Sequence, residues 1–219
     1  MMRQLFLPGL LDTGPVCERL LAVRDGVVDF YVVKGPAGLV CVDAGWRRAS
    51  VARGFGVLGL GVGDVKAVFL THLHWDHARC FGLYPSAEVF VGTREFSSPF
   101  AVRESPLRPL IRVREGETLS AAGLRVRVVD TPGHTAGSVS YVVDERFLFT
   151  GDTLRLRRGE VVPFWPWLIG DGTAMAGSIR RLARLDGMEY LLTAHTGATR
   201  DVAAAFRRWR EPAWEGDRP

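Results

Sequence analysis

The sequence predicts an α+β protein in which two sheets lie against each other with helices outside them. Three observations lead there. Short β-branched runs alternate with helical patterns, and their order is mixed rather than strictly βαβα. The chain has 219 residues with ordinary apolar, charged and glycine or proline fractions, enough for one sizeable core. The span 1–219 is read as a single domain.

In chain order, "VVDFYVVKG" (27–35) and "AGLVCVDAG" (37–45) are two strands turned around Lys34–Ala37, and "RASVARGFGVLGLG" (48–61) is a helix ending in glycines. "VKAVFLTH" (65–72) is a buried strand. "AEVFVG" (87–92), "LRVRVVD" (124–130) and "EYLLTAH" (189–195) are further strands, and "GSVSYVVDERFLFTGD" (137–152) is a hairpin turning near Asp144–Arg146. "TAMAGSIRRLARL" (173–185) and "DVAAAFRRWR" (201–210) are amphipathic helices. The segment 154–172, "LRLRRGEVVPFWPWLIGDG", is the longest without clear periodicity and is expected to be a functional or mobile loop.

Composition narrows the function classes. No stretch approaches the roughly 18 uninterrupted apolar residues of a spanning helix, and the opening apolar run is broken by Pro8 and Gly9, so it reads as mature protein rather than a leader. A soluble cytoplasmic protein with no membrane partner is expected. Cys17, Cys41 and Cys80 are too scattered for a disulfide framework or a CxxC site. Cys80, three residues past His77 in a predicted helix, reads as a small core residue. The net charge of +4 comes almost wholly from arginine, scattered except at 154–160 and 207–210. Nucleic-acid binding calls for a denser basic stripe with interleaved aromatics, so these clusters read as solvated faces. Gly54, Gly56 and Gly59 spell GxGxxG, but within or at the end of a helix rather than between a strand and a helix start, which excludes dinucleotide binding.

The chemistry concentrates in "THLHWDH" (71–77), which holds three of the five histidines of the chain. Imidazoles that crowded repel one another when protonated, so a metal ion is the natural reason for them. His72 and His74, two apart at a strand end, leave the same face. Asp76 and His77 follow where the chain turns towards a helix. Two or three histidines satisfy one metal; four groups that include a carboxylate suit two better. His134 lies in "DTPGHTAGS", His195 in "LLTAHTG" and Asp152 in "LFTGDT", each just past a strand in a turn rich in glycine or threonine.

HxHxDH at 72–77, the PGHTxGS turn around His134, the Gly151–Asp152 pair and a late histidine after a strand resemble the metallo-β-lactamase superfamily. The resemblance runs from about Asp43 to His195. It implies a four-layer αββα sandwich with a metal site at one edge of the two sheets. Carried over by position, it gives one metal His72, His74 and His134, the other Asp76, His77 and His195, with Asp152 bridging. Imidazole and carboxylate donors suit zinc, with iron or manganese as alternatives. Two zinc ions sharing a hydroxide would make a hydrolase with no serine or cysteine nucleophile, and Asp76 is the candidate to orient that hydroxide and move a proton. Asp43 and Thr71 are candidates to fix the ligand imidazoles or, equally, plain turn formers.

Departures from particular branches guide the substrate reading. The β-lactamase branch with a cysteine ligand carries Cys where Asp152 stands, and the diiron flavin-associated branch carries glutamate where His74 stands. Glyoxalase II proper appends a glutathione-binding helical domain, for which few residues follow His195. The compact thioesterase-, lactonase- and carboxylesterase-like hydrolases remain, with a small-molecule substrate, and "HLHWDHARCFGLYPSAEVFVGTREF" is similar to the corresponding segment of acyl-homoserine lactonase-like members. Trp75, Phe164, Trp165 and Trp167 are candidates to line an apolar acyl or aryl pocket, with Arg155 or Arg157 meeting a carboxylate. Two other classes stay open: a mononuclear iron persulfide dioxygenase, whose pattern overlaps at His72, His134 and Asp152, and a non-catalytic metal-binding module.

Overall fold

A computed structural model describes residues 9–95, 102 and 109–211. The opening run through residue 8 and Phe96 of the lactonase-like segment lie outside the described residues. The first sheet has seven strands in the order β1 (Gly14–Pro15), β2 (Leu20–Asp25), β3 (Val28–Gly35), β4 (Gly38–Val42), β5 (Val65–Leu70), β6 (Glu88–Gly92) and β7 (Ile111–Val113). The second has six: β8 (Thr118–Ala121), β9 (Leu124–Asp130), β10 (Val139–Val143), β11 (Phe147–Phe149), β14 (Tyr190–Leu192) and β15 (Ala198–Thr199). Both sheets are mixed, since β4 to β7 pair in parallel and β11 pairs in parallel with β14.

The layers follow from strand alternation. Val40 and Val42 of β4 face the second sheet, where they share a core with Val126, Tyr141, Phe147 and Leu192. Leu39 and Cys41 of the same strand face the other way, onto Val51 and Phe55 of α1 (Arg48–Val57). Val142 and Leu191 likewise turn away from the inter-sheet core, onto Met175, Ile179 and Leu182 of α3 (Gly172–Ala183). Helix, sheet, sheet and helix thus form an αββα sandwich. Among the described residues no helix is long and apolar enough to cross a membrane.

Three elements differ from the sequence expectation. Residues 154–172 are not a structureless loop: β12 (Leu154–Arg157) pairs antiparallel with β13 (Glu160–Pro163). The "LRLR" run alternates with a period of two, and Arg157 pairs with Glu160 across a two-residue turn in which Arg158 and Gly159 have φ of 53° and 82°. That is the geometry that matches the twist of a hairpin. The helix expected over 201–210 breaks at Phe206 into α4 (Val202–Ala205) and α5 (Arg207–Arg210). The second part is held elsewhere, with Trp209 Nε1 donating to Val161 O at 2.9 Å and Arg210 Nε to Ala183 O at 2.8 Å. Cys80 is fully buried in the core but lies beyond the one-turn helix α2 (Trp75–Ala78) rather than inside a longer one.

Two buried tyrosines tie the sheets together where the site begins. Tyr141 donates to Leu70 O at 3.0 Å, just before His72, and Tyr31 donates to Thr193 O at 2.7 Å, just before His195. Thr71 O also accepts from Val139 N at 2.9 Å. Strand ends from both sheets are thereby locked at one edge.

Candidate metal centre

His72 and His74 follow β5, Asp76 and His77 stand in α2, His134 follows β9, Asp152 follows β11 and His195 follows β14. The fold brings all seven to one edge. Ligand atoms of His72, His74 and His134 lie within 4.8 Å of one another, as do those of His72, His77 and Asp152, and those of Asp76, His77 and His195. Gly151 makes this approach possible: its φ is 50°, and a Cβ there would strike the Thr71 side chain.

Hydrogen bonds decide which ring nitrogen faces the centre. His134 Nδ1 donates to Leu168 O at 2.7 Å and His195 Nδ1 donates to Val27 O at 2.6 Å. A carbonyl only accepts, so each Nε2 is left with its lone pair turned inward. His77 Nδ1 donates to Asp43 Oδ2 at 2.8 Å. Thr71 Oγ1 donates to Asp43 at 3.0 Å and accepts from His72 Nδ1 at 3.1 Å. Asp43 therefore anchors two imidazoles, one directly and one through Thr71, from a backbone with φ of 63°. His74 turns its Nδ1 inward, 2.9 Å from His134 Nε2.

The donor set fits a cation. His72 Nε2, His77 Nε2 and Asp152 Oδ1 are buried without a hydrogen-bond partner of proper geometry. A buried carboxylate in that state costs several kcal/mol unless a positive charge meets it. Burial pushes the His72 and His134 imidazoles below their usual range, and pushes His74 to about 4, with His134 adding to the effect. These three are neutral, as metal ligation requires. Burial is the largest single influence on His77 and His195 and acts to lower both, but the facing carboxylates together outweigh it and raise them, Asp152 with Asp43 and Asp76 at His77 and Asp152 with Asp76 at His195. Asp152 itself would be raised by burial, yet the facing imidazoles, His195 foremost, hold it well below the usual carboxylate range.

A cleft of about 800 Å³ opens over the cluster. Trp75, Phe164, Trp165 and Trp167 lie on its wall, with Leu168 and Ile169. Phe164 is buried, its ring centroid 5.0 Å from that of His134 and 5.5 Å from that of His195. Arg155 is not among the residues on the wall; its guanidinium lies over the Trp165 ring, 5.4 Å from the centroid, with Nε buried and without a hydrogen-bond partner among the described residues. Arg157 is exposed at the far end of that strand.

Glu95 is the residue that sequence reasoning missed. It is 1% exposed and joins the two ligand loops, accepting from Leu73 N at 2.9 Å and from Thr135 Oγ1 at 2.5 Å. A Cβ on Gly137 would collide with the Glu95 backbone. A lone glutamate after a strand carries no spacing signal. The carbonyls of Leu168 and Val27 carry none either.

Asp43→Asn is expected to lower zinc affinity about 10- to 100-fold while leaving the fold intact, because asparagine tolerates the positive φ but presents no charge to His77. Competition with a chromogenic chelator measures it; unchanged affinity would reduce Asp43 to a turn former.

Comparison with known proteins gives a consistent picture. A hydroxyacylglutathione hydrolase of Cupriavidus taiwanensis is 33% identical over 189 residues, covering 80% of this chain and 66% of that protein. A probable polyketide biosynthesis zinc-dependent hydrolase, BaeB of Bacillus velezensis, is 32% identical over 116 residues, covering 52% of this chain. The chain spans only 49% of that relative's length. Among solved structures, a metallo-beta-lactamase family protein from Thermus thermophilus superposes with a TM-score of 0.70 at 24% identity, covering 89% of this chain and 79% of that one, which shows a shared fold. The sequence model of the metallo-beta-lactamase superfamily matches residues 23–195, a span that holds every residue of the cluster. The chain belongs to the metallo-beta-lactamase superfamily.

Proposed function

We propose that the chain is a zinc-dependent hydrolase that cleaves an ester, thioester or lactone of a small molecule at a dinuclear site. The observation that carries this reading is the placement of Asp152 between two groups of histidines. Its Oδ2 faces His134 Nε2 at 3.3 Å and His72 Nε2 at 3.9 Å, and its Oδ1 faces His195 Nε2 at 3.2 Å and His77 Nε2 at 3.3 Å. One carboxylate with a separate oxygen towards each group is suited to bridge two cations. In this assignment His72, His74 and His134 hold one ion, Asp76, His77 and His195 hold the other, and Asp152 serves both. Zinc so held supplies Lewis acidity and brings the pKa of water towards neutrality.

The chain's own side chains do the rest. Asp76 lies on the cleft lining with Oδ2 at 3.7 Å from Nε2 of both His77 and His195, where a carboxylate can orient water and take up its proton. The outward bonds of His72, His77, His134 and His195 keep the imidazoles from swinging as charge develops. Phe164 shields the rings of His134 and His195 from water. The names of the relatives, one a hydroxyacylglutathione hydrolase and one a zinc-dependent hydrolase, support the reaction class.

The test is elemental analysis of protein purified without chelator or added metal, followed by a panel of esters, thioesters and lactones. About two zinc ions per chain are expected, with hydrolysis that a chelator abolishes and zinc restores. Close to one iron per chain, with oxygen consumption, would replace the hydrolase by an oxygenase. Two metals without turnover on any panel member would leave a binding module.

A further inference from the structure

The cleft has two chemically distinct parts. Its polar lining is the candidate metal cluster together with Glu95 and Thr135, and those two are bonded to each other. The remainder is apolar, with Val27, Trp75, Trp165, Trp167, Leu168 and Ile169 as its main surfaces. Among the described residues no lysine or arginine lines it. Trp167 and Leu168 are 76% and 49% exposed, a large apolar surface held open to water beside the centre. The wall is also pre-formed. Pro163 and Pro166 stiffen it, Leu168 O is bonded to His134, and Asp171 N donates to Gly133 O at 2.8 Å.

We infer that this wall is an acyl-chain subsite and that the substrate is an ester or thioester of an uncharged, medium-length acyl group. The inference rests on the hydrolase reading, which puts the scissile carbonyl at the polar floor. Within the described lining, the volume left for the rest of the acyl group then runs along the tryptophan and leucine wall. A chain ending in a carboxylate would lose its hydration there, meet no counter-charge on the described lining and approach Asp76, Asp152 and Glu95. A neutral alkyl chain gains from leaving water and meets rigid aromatic surfaces that need no reordering. Glutathione and coenzyme-type leaving groups fall outside this subsite, so the selection acts on the acyl side.

The experiment uses the zinc-loaded full chain and nitrophenyl esters from acetyl through butyryl and hexanoyl to octanoyl, with a hemiadipate ester as the carboxylate-ended counterpart of hexanoyl. The value of kcat/KM is expected to rise about fourfold per methylene until the wall is covered. The hemiadipate ester is expected to fall at least about tenfold below the hexanoyl ester. Trp167→Ala, at a largely exposed position, is expected to flatten the chain-length dependence. A flat series in the wild-type chain, or a preference for the hemiadipate, would overturn the acyl subsite and leave the hydrolase standing. If no ester, thioester or lactone turns over, the hydrolase reading fails, and the subsite is judged by quenching of tryptophan fluorescence. Tighter binding of octanamide than of acetamide supports it, and equal binding refutes it.

Discussion

Asp152→Asn is expected to lower kcat/KM by about 10²–10³-fold and to reduce the zinc retained per chain. The side chain keeps its shape but becomes a neutral amide whose nitrogen cannot donate electrons to a metal, so both histidine groups lose the anion they share. The several kcal/mol of charge stabilisation that a well-held metal supplies is the quantity at stake. Asp152 is 5% exposed, between imidazoles at 3.2–3.9 Å. Steady-state kinetics and metal analysis on the same preparation check the result. An Asp152→Asn protein that keeps full zinc and full activity would remove the bridging role and with it the basis for two ions.

The second large effect belongs to Glu95. Glu95→Ala is expected to destabilise the protein by about 1–3 kcal/mol, because the N–H of Leu73 loses its buried acceptor. Thr135 suffers less, since Ser138 Oγ remains at 2.7 Å. Glu95→Gln should lie between Ala and wild type: its amide oxygen still accepts, while its NH2 must face a donor. Denaturant midpoints measure the stability. Zinc content measures the separate consequence, because Leu73 lies between His72 and His74 while Thr135 follows His134. Loosening one carboxylate should therefore loosen ligands on two loops at once. A variant that is destabilised but binds zinc with native affinity would make Glu95 a support of the fold alone.

The contrast between these residues shows what the sequence could and could not disclose. The seven candidate ligands were legible because histidine is scarce here and each one sits just past a strand in a permissive turn, a pattern that packing does not produce by chance. The sandwich was legible for a related reason, since β3, β4, β5 and β10 are nearly unbroken apolar runs while β9 and α3 carry periodicity. Hydrogen-bond acceptors on the backbone leave no such trace. Val27 O and Leu168 O fix His195 and His134, yet any residue type would supply those carbonyls. Glu95 was hidden because its partners are an amide and a hydroxyl, neither of which has a spacing rule. The β12–β13 hairpin escaped notice because arginines occupy its outward positions, so the alternation of Leu154 and Leu156 was read as charge rather than as a strand. Arg155 shows the converse: a charge near an expected pocket suggests recognition, while the fold sets its guanidinium over Trp165.

The bond from His134 to Leu168 O has a consequence for how such a protein can change. The peptide that steadies the histidine is also the peptide that displays the cleft wall, but the two duties fall on different atoms. The carbonyl serves the imidazole whatever side chain residue 168 bears, whereas the exposed side chains of Trp167 and Leu168 can vary in size and polarity. Substrate preference can then be rewritten one side chain at a time without disturbing the histidine beneath. Breeding a new specificity into this scaffold would begin at those two positions and leave Trp165 and the prolines on either side of it untouched.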